Sequence, residues 1–221
     1  MLVSMTASLF IVGAGGFGRE VLSYASDVAR TSNAFRIAGF LDDNPDALQG
    51  RKVSAAVVGN LASLTPGEGD RFVIAVGEPS VRRAMALALA ARGVRDEAFL
   101  SIVHPTAICV GELAPGCVLG PFAFVGPGAA LGRHTVLNTY ASAGHDAQLG
   151  EWTVLSPYAV VNGNVTLEEG VFMGTHAMVV PGKRVGAWSK IGAGAVQLGD
   201  LEPGSLSVGN PAKGRVMFAP P

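Results

Sequence analysis

A step of six residues, started at Leu113, meets an aliphatic or alanine side chain fourteen times in succession and ends at Ile191. Leu119, Val125, Leu131, Leu137, Leu149, Leu155 and Val161 are among the sites, and only Ala143 falls short of a large aliphatic residue. Glycine follows directly at eight of the fourteen, from Gly120 to Gly192. The fifth position of each hexad is small or valine except at Lys183. A period of six held this long identifies a parallel β-helix, in which each hexad is a short strand plus a corner and three hexads close one coil.

The expected geometry follows. Positions one and five fill a narrow prism, position two adopts a glycine conformation at the corner, and positions three and four face outward. Eighteen residues on, the chain lies one strand spacing, about 4.8 Å, higher on the same face. Hexapeptide coils wind left-handed, against the usual crossover rule, and only a repeat this regular outweighs that rule.

A formal charge of −1 argues against a nucleic-acid or anionic-membrane partner. No apolar run approaches the length needed to span a bilayer. Residues Met1–Ser4 precede a second methionine, Met5, and the N-terminus lacks a basic lead into a cleavable apolar segment. Cys109 and Cys117 have no motif spacing, and Cys117 takes a small inward position of the prism, so a buried free thiol and a reduced, cytoplasmic setting are expected.

Ahead of the repeat, Ser8–Val12 reads as a buried strand and runs into Gly13-Ala-Gly15-Gly16-Phe17-Gly18. Arg19–Ala29 has helical character, Phe35–Leu41 is a second strand ending in Asp42-Asp43, Arg71–Val76 a third, Ser80–Arg92 a second helix, and Glu97–Val103 an extended piece. This alternation predicts a small Rossmann-like parallel α/β domain over residues 1–99, followed by the left-handed parallel β-helix and its tail over residues 100–221. The glycine loop between strand and helix offers backbone N–H groups and a helix N-terminus to a phosphate. NAD with Asp42 on its ribose is one reading; a bare tight turn is another. The short domain carries no hydride-transfer site, which favours a nucleotide held without redox chemistry. A nucleotidyltransferase loop would carry an early arginine and a lysine; here Arg19 lies inside the helix.

Three histidines, His134, His145 and His176, occupy outward corner positions, and His104 sits in a lead-in turn. Their hexads fall on three different faces, so within one chain they cannot share a metal, although a trimer interface leaves that arrangement open. His145 stands between Gly144 and Asp146, with Gly163 one coil above at the same corner. A glycine stacked over an imidazole leaves room for a thin ligand; a solvated corner side chain is the bland alternative. Thr175 and Ala193 stack likewise on another face. Lys183, Arg184, Lys190, Lys213 and Arg215 form a local cationic excess suited to coenzyme phosphates, or simply a solvated surface.

Gly13-Ala-Gly-Gly-Phe-Gly18, Asp42-Asp43, the hexads, Gly144-His145-Asp146 and Gly209-Asn-Pro-Ala-Lys213 together resemble the sialic-acid O-acetyltransferase-like family of bacterial sugar acyltransferases, over nearly the whole chain. Members acting on nucleotide-linked 4-amino sugars, the GDP-perosamine N-acetyltransferases in particular, are the most similar in layout. The resemblance implies an acetyl-CoA-dependent N-acetyltransferase of O-antigen and lipopolysaccharide biosynthesis. It implies no metal, and a homotrimer with active sites between subunits. His145 would be the general base and Asp146 its acid partner. Gly13, Gly15, Gly16, Phe17, Asp42, Asp43 and Asn138 would hold the nucleotide sugar; Gly163, Thr175, Ala193, Lys190 and Lys213 would hold the coenzyme. Many members carry histidine where this chain has Phe17, so any hydrogen bond from that ring is lost here. O-acetylation of a sugar such as sialic acid and a non-enzymatic β-helix scaffold are the competing readings.

Overall fold

The computed structural model describes residues 7–32 and 34–219. The chain start discussed above, Met1–Ser4, lies outside them.

The first unit comprises β1 (Ala7–Val12), α1 (Gly16–Thr31), β2 (Phe35–Leu41), β3 (Val57–Gly59), β4 (Asp70–Ile74) and α2 (Pro79–Ala90). Its strands are parallel in the order β3-β2-β1-β4, a short doubly wound sheet. Two departures from expectation have clear physical reasons. α1 starts at Gly16 rather than Arg19, because the glycine loop itself supplies the first helical turn. β3 was not expected: three half-exposed residues are too few to show a period. The extended piece after α2 opens with a 3-10 turn at Asp96–Ala98, and Phe99 then bridges to Phe72 of β4.

A left-handed parallel β-helix follows, closed by sheets of eight, six and five strands, termed here faces I, II and III. Leu119, Leu137, Leu155, Met173 and Ile191 stack without exposure along one edge of the prism, with Ala123, Ala141, Ala159 and Ala177 filling the narrow positions. The stack begins two strands earlier than the regular hexads, because Ile102–Val103 and Ile108–Cys109 already pair with the coil above. A short corner between Cys109 and Leu113 breaks the step of six and hides those strands from a periodic count. A hairpin of Ser205–Val208 with Lys213–Val216 ends face I.

The corner geometry corrects the expectation for position two. Left-handed backbone occurs at position four instead: nine non-glycine residues there, Phe122 to Trp188, have φ of 58–62°, and the remaining corners use Gly116, Gly128, Gly170, Gly182 and Gly194. Glycine at position two answers a different demand. A Cβ on Gly132 would lie 2.6 Å from the Glu151 nitrogen, and one on Gly186 2.3 Å from that of Pro203. Close stacking of coils, not φ, selects those glycines.

The three faces differ outside. Face I presents Ile102, Val118, Val136 and Val154, all covered by Leu22, Tyr24 and Ala25 of α1. Face III presents Glu112, Gln148, Thr166 and Arg184 to solvent. Face II presents Ile108, Phe124, Ser142, Val160, Met178 and Val196, a largely apolar strip in which Ile108 and Phe124 are exposed and the others half-buried, with no helix of the described residues packed over it.

Polar ties hold the first unit on the β-helix. Arg82 of α2 is fully buried and donates to the carbonyls of Ile74 (2.7 Å) and Val76 (2.9 Å) and, across the junction, of His134 (2.8 Å). His104 Nε2 meets Asp27 Oδ2 at 2.9 Å, and Lys190 Nζ meets both Glu78 oxygens at 3.0 Å. His134 stacks on Trp152 with ring centroids 4.4 Å apart and meets Phe99 edge-on.

Burial, with the positive charges of Arg82 and Arg133 beside it, pushes the His134 imidazole down to about 3 from its ordinary 6.5. Between those limits the unfolded chain binds a proton that the folded one refuses, so stability is complete above the ordinary range and falls with acidification. The slope reaches about 1.4 kcal/mol per pH unit for one such site. Urea midpoints measured from pH 7 to pH 4 should therefore decline less steeply in His134→Gln than in the wild type; parallel curves would contradict this assignment.

Candidate active site

The four loop glycines separate into two kinds. Gly13 has φ of 102°, and a Cβ on Gly18 would sit 2.0 Å from the Gly13 carbonyl oxygen, so the turn requires both. A Cβ on Gly15 meets nothing within 4 Å, and one on Gly16 only the end of Arg19 at 3.9 Å. The fold leaves that space open above the start of α1, which has no side-chain cap and no acidic residue in its first turn. Uncapped N–H groups beside open space suit an anion.

Asp42 stands behind this loop. Its Oδ2 accepts the Ala14 N–H at 2.7 Å and its Oδ1 the Asn44 N–H at 2.9 Å, so the carboxylate braces the loop; Asp43 is exposed beside it. Phe17 points the other way, into a cavity of about 350 Å³ between α1 and face I, which also takes in Glu20, Glu78, Asn138, Ser156, Pro157 and Phe172. An apolar ring there can pack against a ligand but cannot hydrogen-bond it. A cleft of about 500 Å³ at the far end of β4 lies away from the loop, and its Arg71 is spent on the carbonyls of Glu68 and Asp70.

The three corner histidines lie on three different corners, as their spacing requires. His134 is buried under α2 and closes off as a structural residue. His176 caps an exposed column of rings, Phe122, Tyr140, Tyr158 and His176, with centroids 4.8–4.9 Å apart. Of these three, and among the described residues, only His145, at the corner from face II to face III, has an acid partner: its Nδ1 lies 2.9 Å from Asp146 Oδ2. Both side chains are about 60 % exposed (61 % and 59 %). With Nδ1–H donating to the carboxylate, Nε2 keeps its lone pair and faces out.

Gly163 roofs this pair. A Cβ there would lie 2.3 Å from His145 Nε2, so only glycine leaves that nitrogen reachable. Gly163 occupies position three of its hexad, where the N–H has no partner in the coil ladder, and among the described residues it finds no acceptor. Proline fills the same position at 115, 121, 127, 157 and 181, which marks it as a site where the scaffold needs no donor. Thr175 and Ala193 are also position-three residues, on the corner from face I to face II. One chain therefore puts His145 with Gly163 on one edge of face II and Thr175 with Ala193 on the other. Lys190, expected near a coenzyme, is instead committed to Glu78; Lys213 is exposed on the terminal hairpin. Among the described residues no three metal-ligand side chains cluster, and no helix is long and apolar enough to cross a membrane.

Sequence reasoning missed Arg82, Tyr24 and Glu78. Arg82 was detectable, since it shares the buried stripe of α2 with Pro79, Ala86 and Leu89. Tyr24 and Glu78 act on partners more than a hundred residues away, and no local pattern announces that.

Residues 8–89 match the family described as the PglD N-terminal domain. No curated protein sequence matches the chain. Among solved structures, the acetyltransferase domain of PglB from Neisseria gonorrhoeae, in complex with acetyl coenzyme A, is 32 % identical, with a TM-score of 0.83 over 94 % of this chain and 98 % of that one. A histidine variant of perosamine N-acetyltransferase from Caulobacter crescentus, in complex with CoA and GDP-perosamine, is 26 % identical, with a TM-score of 0.84 over 95 % and 97 % of the two chains. WeeI from Acinetobacter baumannii is 25 % identical, with a TM-score of 0.82 over 95 % of this chain and all of the other. Domain order and whole-length similarity agree: the chain belongs to the left-handed β-helix sugar acetyltransferases that include PglB and the GDP-perosamine N-acetyltransferases.

Proposed function

We propose that the protein transfers acetyl from acetyl-CoA to the 4-amino group of a nucleotide-linked amino sugar, GDP-perosamine being the first candidate. The His145–Asp146 pair beneath the side-chain-free, donor-bearing corner at Gly163 carries this reading. Residues 1–99 hold the nucleotide sugar on the glycine loop and Asp42; residues 100–221 supply the acetyl-transfer corner. The relatives solved with CoA and GDP-perosamine, or with acetyl coenzyme A, support both ligands. Work on sugar nucleotides with two free thiols fits a cytoplasmic enzyme serving O-antigen assembly.

The sugar nitrogen attacks the thioester carbonyl carbon and becomes cationic as the C–N bond forms. His145 Nε2 takes its proton, while Asp146 holds the tautomer and favours the imidazolium. The oxygen turned negative in the tetrahedral intermediate is stabilised by the free Gly163 N–H. Collapse breaks the C–S bond, and the departing sulfur receives the proton from His145, giving the amide and CoA thiol. No acyl-enzyme is needed: Cys117 is sealed in the prism, where burial pushes its thiol up to about 12.

A homotrimer joined through face II completes the site. The strip of Ile108, Phe124, Val160, Met178 and Val196 is apolar and partly exposed, with no helix of the described residues packed over it, and its two edges carry the two halves of the coenzyme site.

Gly163→Ala should lower turnover roughly a hundredfold or more, because a misplacement near 1 Å at the reacting groups costs that much. Thermal stability should stay level, since the backbone at Gly163 is not left-handed. Equal activity in Gly163→Ala would remove the glycine from the site.

Release of CoA thiol tests the whole reading, with GDP-perosamine, UDP-linked 4-amino sugars and free sialic acid as acceptors. Turnover with GDP-perosamine alone establishes the acceptor, and turnover with only a UDP sugar moves the specificity. Turnover with sialic acid alone establishes O-acetylation and sinks the amino-sugar proposal.

A further inference from the structure

We infer that Tyr24 is a positioning residue for the acceptor, acting through Asn138, whose free amide N–H groups it holds, together with the Thr139 backbone N–H, turned into the cavity between α1 and face I. This rests on the acceptor reading above. Asn138 Oδ1 accepts the Thr139 backbone N–H at 2.8 Å, and because that group can only donate, it fixes which end of the amide is oxygen. The Tyr24 hydroxyl donates to the same Oδ1 at 3.1 Å and lies 3.2 Å from Thr139 Oγ1. Tyr24 is buried under face I, held by packing rather than by chance. Both partners claim the oxygen, and Asn138 Nδ2 has no acceptor among the described residues while the side chain lines the cavity.

Asn162 shows what the scaffold does with such a residue otherwise. It occupies the same position of its own hexad, and its Nδ2 donates to the Val179 carbonyl at 2.7 Å, tying one coil to the next. Asn138 forgoes that bond and keeps its donors for a ligand.

A donor pair of this kind receives a sugar hydroxyl or ring oxygen and repels an ammonium, which has no lone pair to offer. The acceptor therefore sits with its oxygen-bearing edge on Asn138 and its amine turned away, towards the catalytic corner of a neighbouring copy. Specificity of orientation then comes partly from what Asn138 rejects.

Calorimetry of the acetyl-CoA-accepting enzyme with GDP-perosamine and with a UDP-linked 4-amino sugar tests this, using wild type, Tyr24→Phe, Asn138→Ala and the double variant. Tyr24→Phe keeps the packed ring and should weaken sugar-nucleotide binding roughly fivefold to tenfold, the scale of one lost hydrogen bond. Acetyl-CoA affinity should stay at the wild-type value, and Tm should fall by no more than a few degrees, the scale of the hydroxyl's own hydrogen bonds. Asn138→Ala should weaken binding at least as much, and the double variant should be no worse than Asn138→Ala, because Tyr24 has nothing left to position. Wild-type affinity in Tyr24→Phe, or losses that multiply in the double variant, would overturn the role of Tyr24 while leaving the acceptor intact. A wild type that binds acetyl-CoA but neither sugar nucleotide would overturn the acceptor reading, and the role of Tyr24 with it.

Discussion

His145→Ala is expected to lower turnover roughly a hundredfold to ten-thousandfold, the range general bases supply, and to leave acetyl-CoA binding close to wild type. The reason is geometric. His145 Nε2 is the lone pair left exposed once Nδ1 is engaged with Asp146 at 2.9 Å, and Gly163 leaves the approach to it clear. The proposed coenzyme contacts are backbone N–H groups at Gly163, Thr175 and Ala193, which an alanine at 145 leaves in place. CoA-thiol release at saturating acetyl-CoA reads the first effect and calorimetry the second. Unchanged turnover would mean that the amine needs no base from this corner. Asp146→Asn should show a smaller loss, because the amide still holds the ring but no longer favours the imidazolium.

Arg82→Met should cost about 3 kcal/mol of stability and lower Tm by roughly 6–12 °C in a chain of this size. The guanidinium is wholly buried, and burial pulls it down to about 10, which still leaves it charged at neutral pH. Among the described residues no carboxylate pairs with it; it is held by three carbonyls, two at the end of β4 and one on the β-helix. Methionine matches its length but strands all three acceptors, and the loss of desolvation cost for the charge offsets only part of that. Arg82→Lys should fall between, since an ammonium lacks the fork that serves acceptors on two sides. A thermal melt decides it, and an Arg82→Met protein melting with the wild type would show the junction to be held by packing alone.

Most of the β-helix was legible because its period is strict. An inward side chain every six residues leaves no other fold that buries them all, and the placement of the three histidines on three corners followed from counting alone. The count was silent where the period broke. The short corner between Cys109 and Leu113 hid two strands that pair in full register with the coil above. It also assigned the corner glycines to φ, whereas the left-handed residue is position four and the glycines answer the pressure of the coil above. Both errors share a cause: spacing records which residues stack, not what stands between coils.

The candidate site divides in the same way. His145 and Asp146 are neighbours in sequence, and Gly163 is one full coil away, so the repeat alone brought them together. The glycine loop, lying between a strand and a helix, was equally local. Lys190 looked like a coenzyme cation until folding brought both carboxylate oxygens of Glu78 of the first unit against its ammonium. His134 read as an outward corner residue until α2 covered it. The roles of Arg82 and Tyr24 arise only where the first unit meets face I. A repeat imposes its own contacts at fixed intervals, and these can be counted along the chain. The docking of two differently built units joins residues at separations that no period encodes, so burial, charge pairing and the direction of a single amide there had to come from the packed structure.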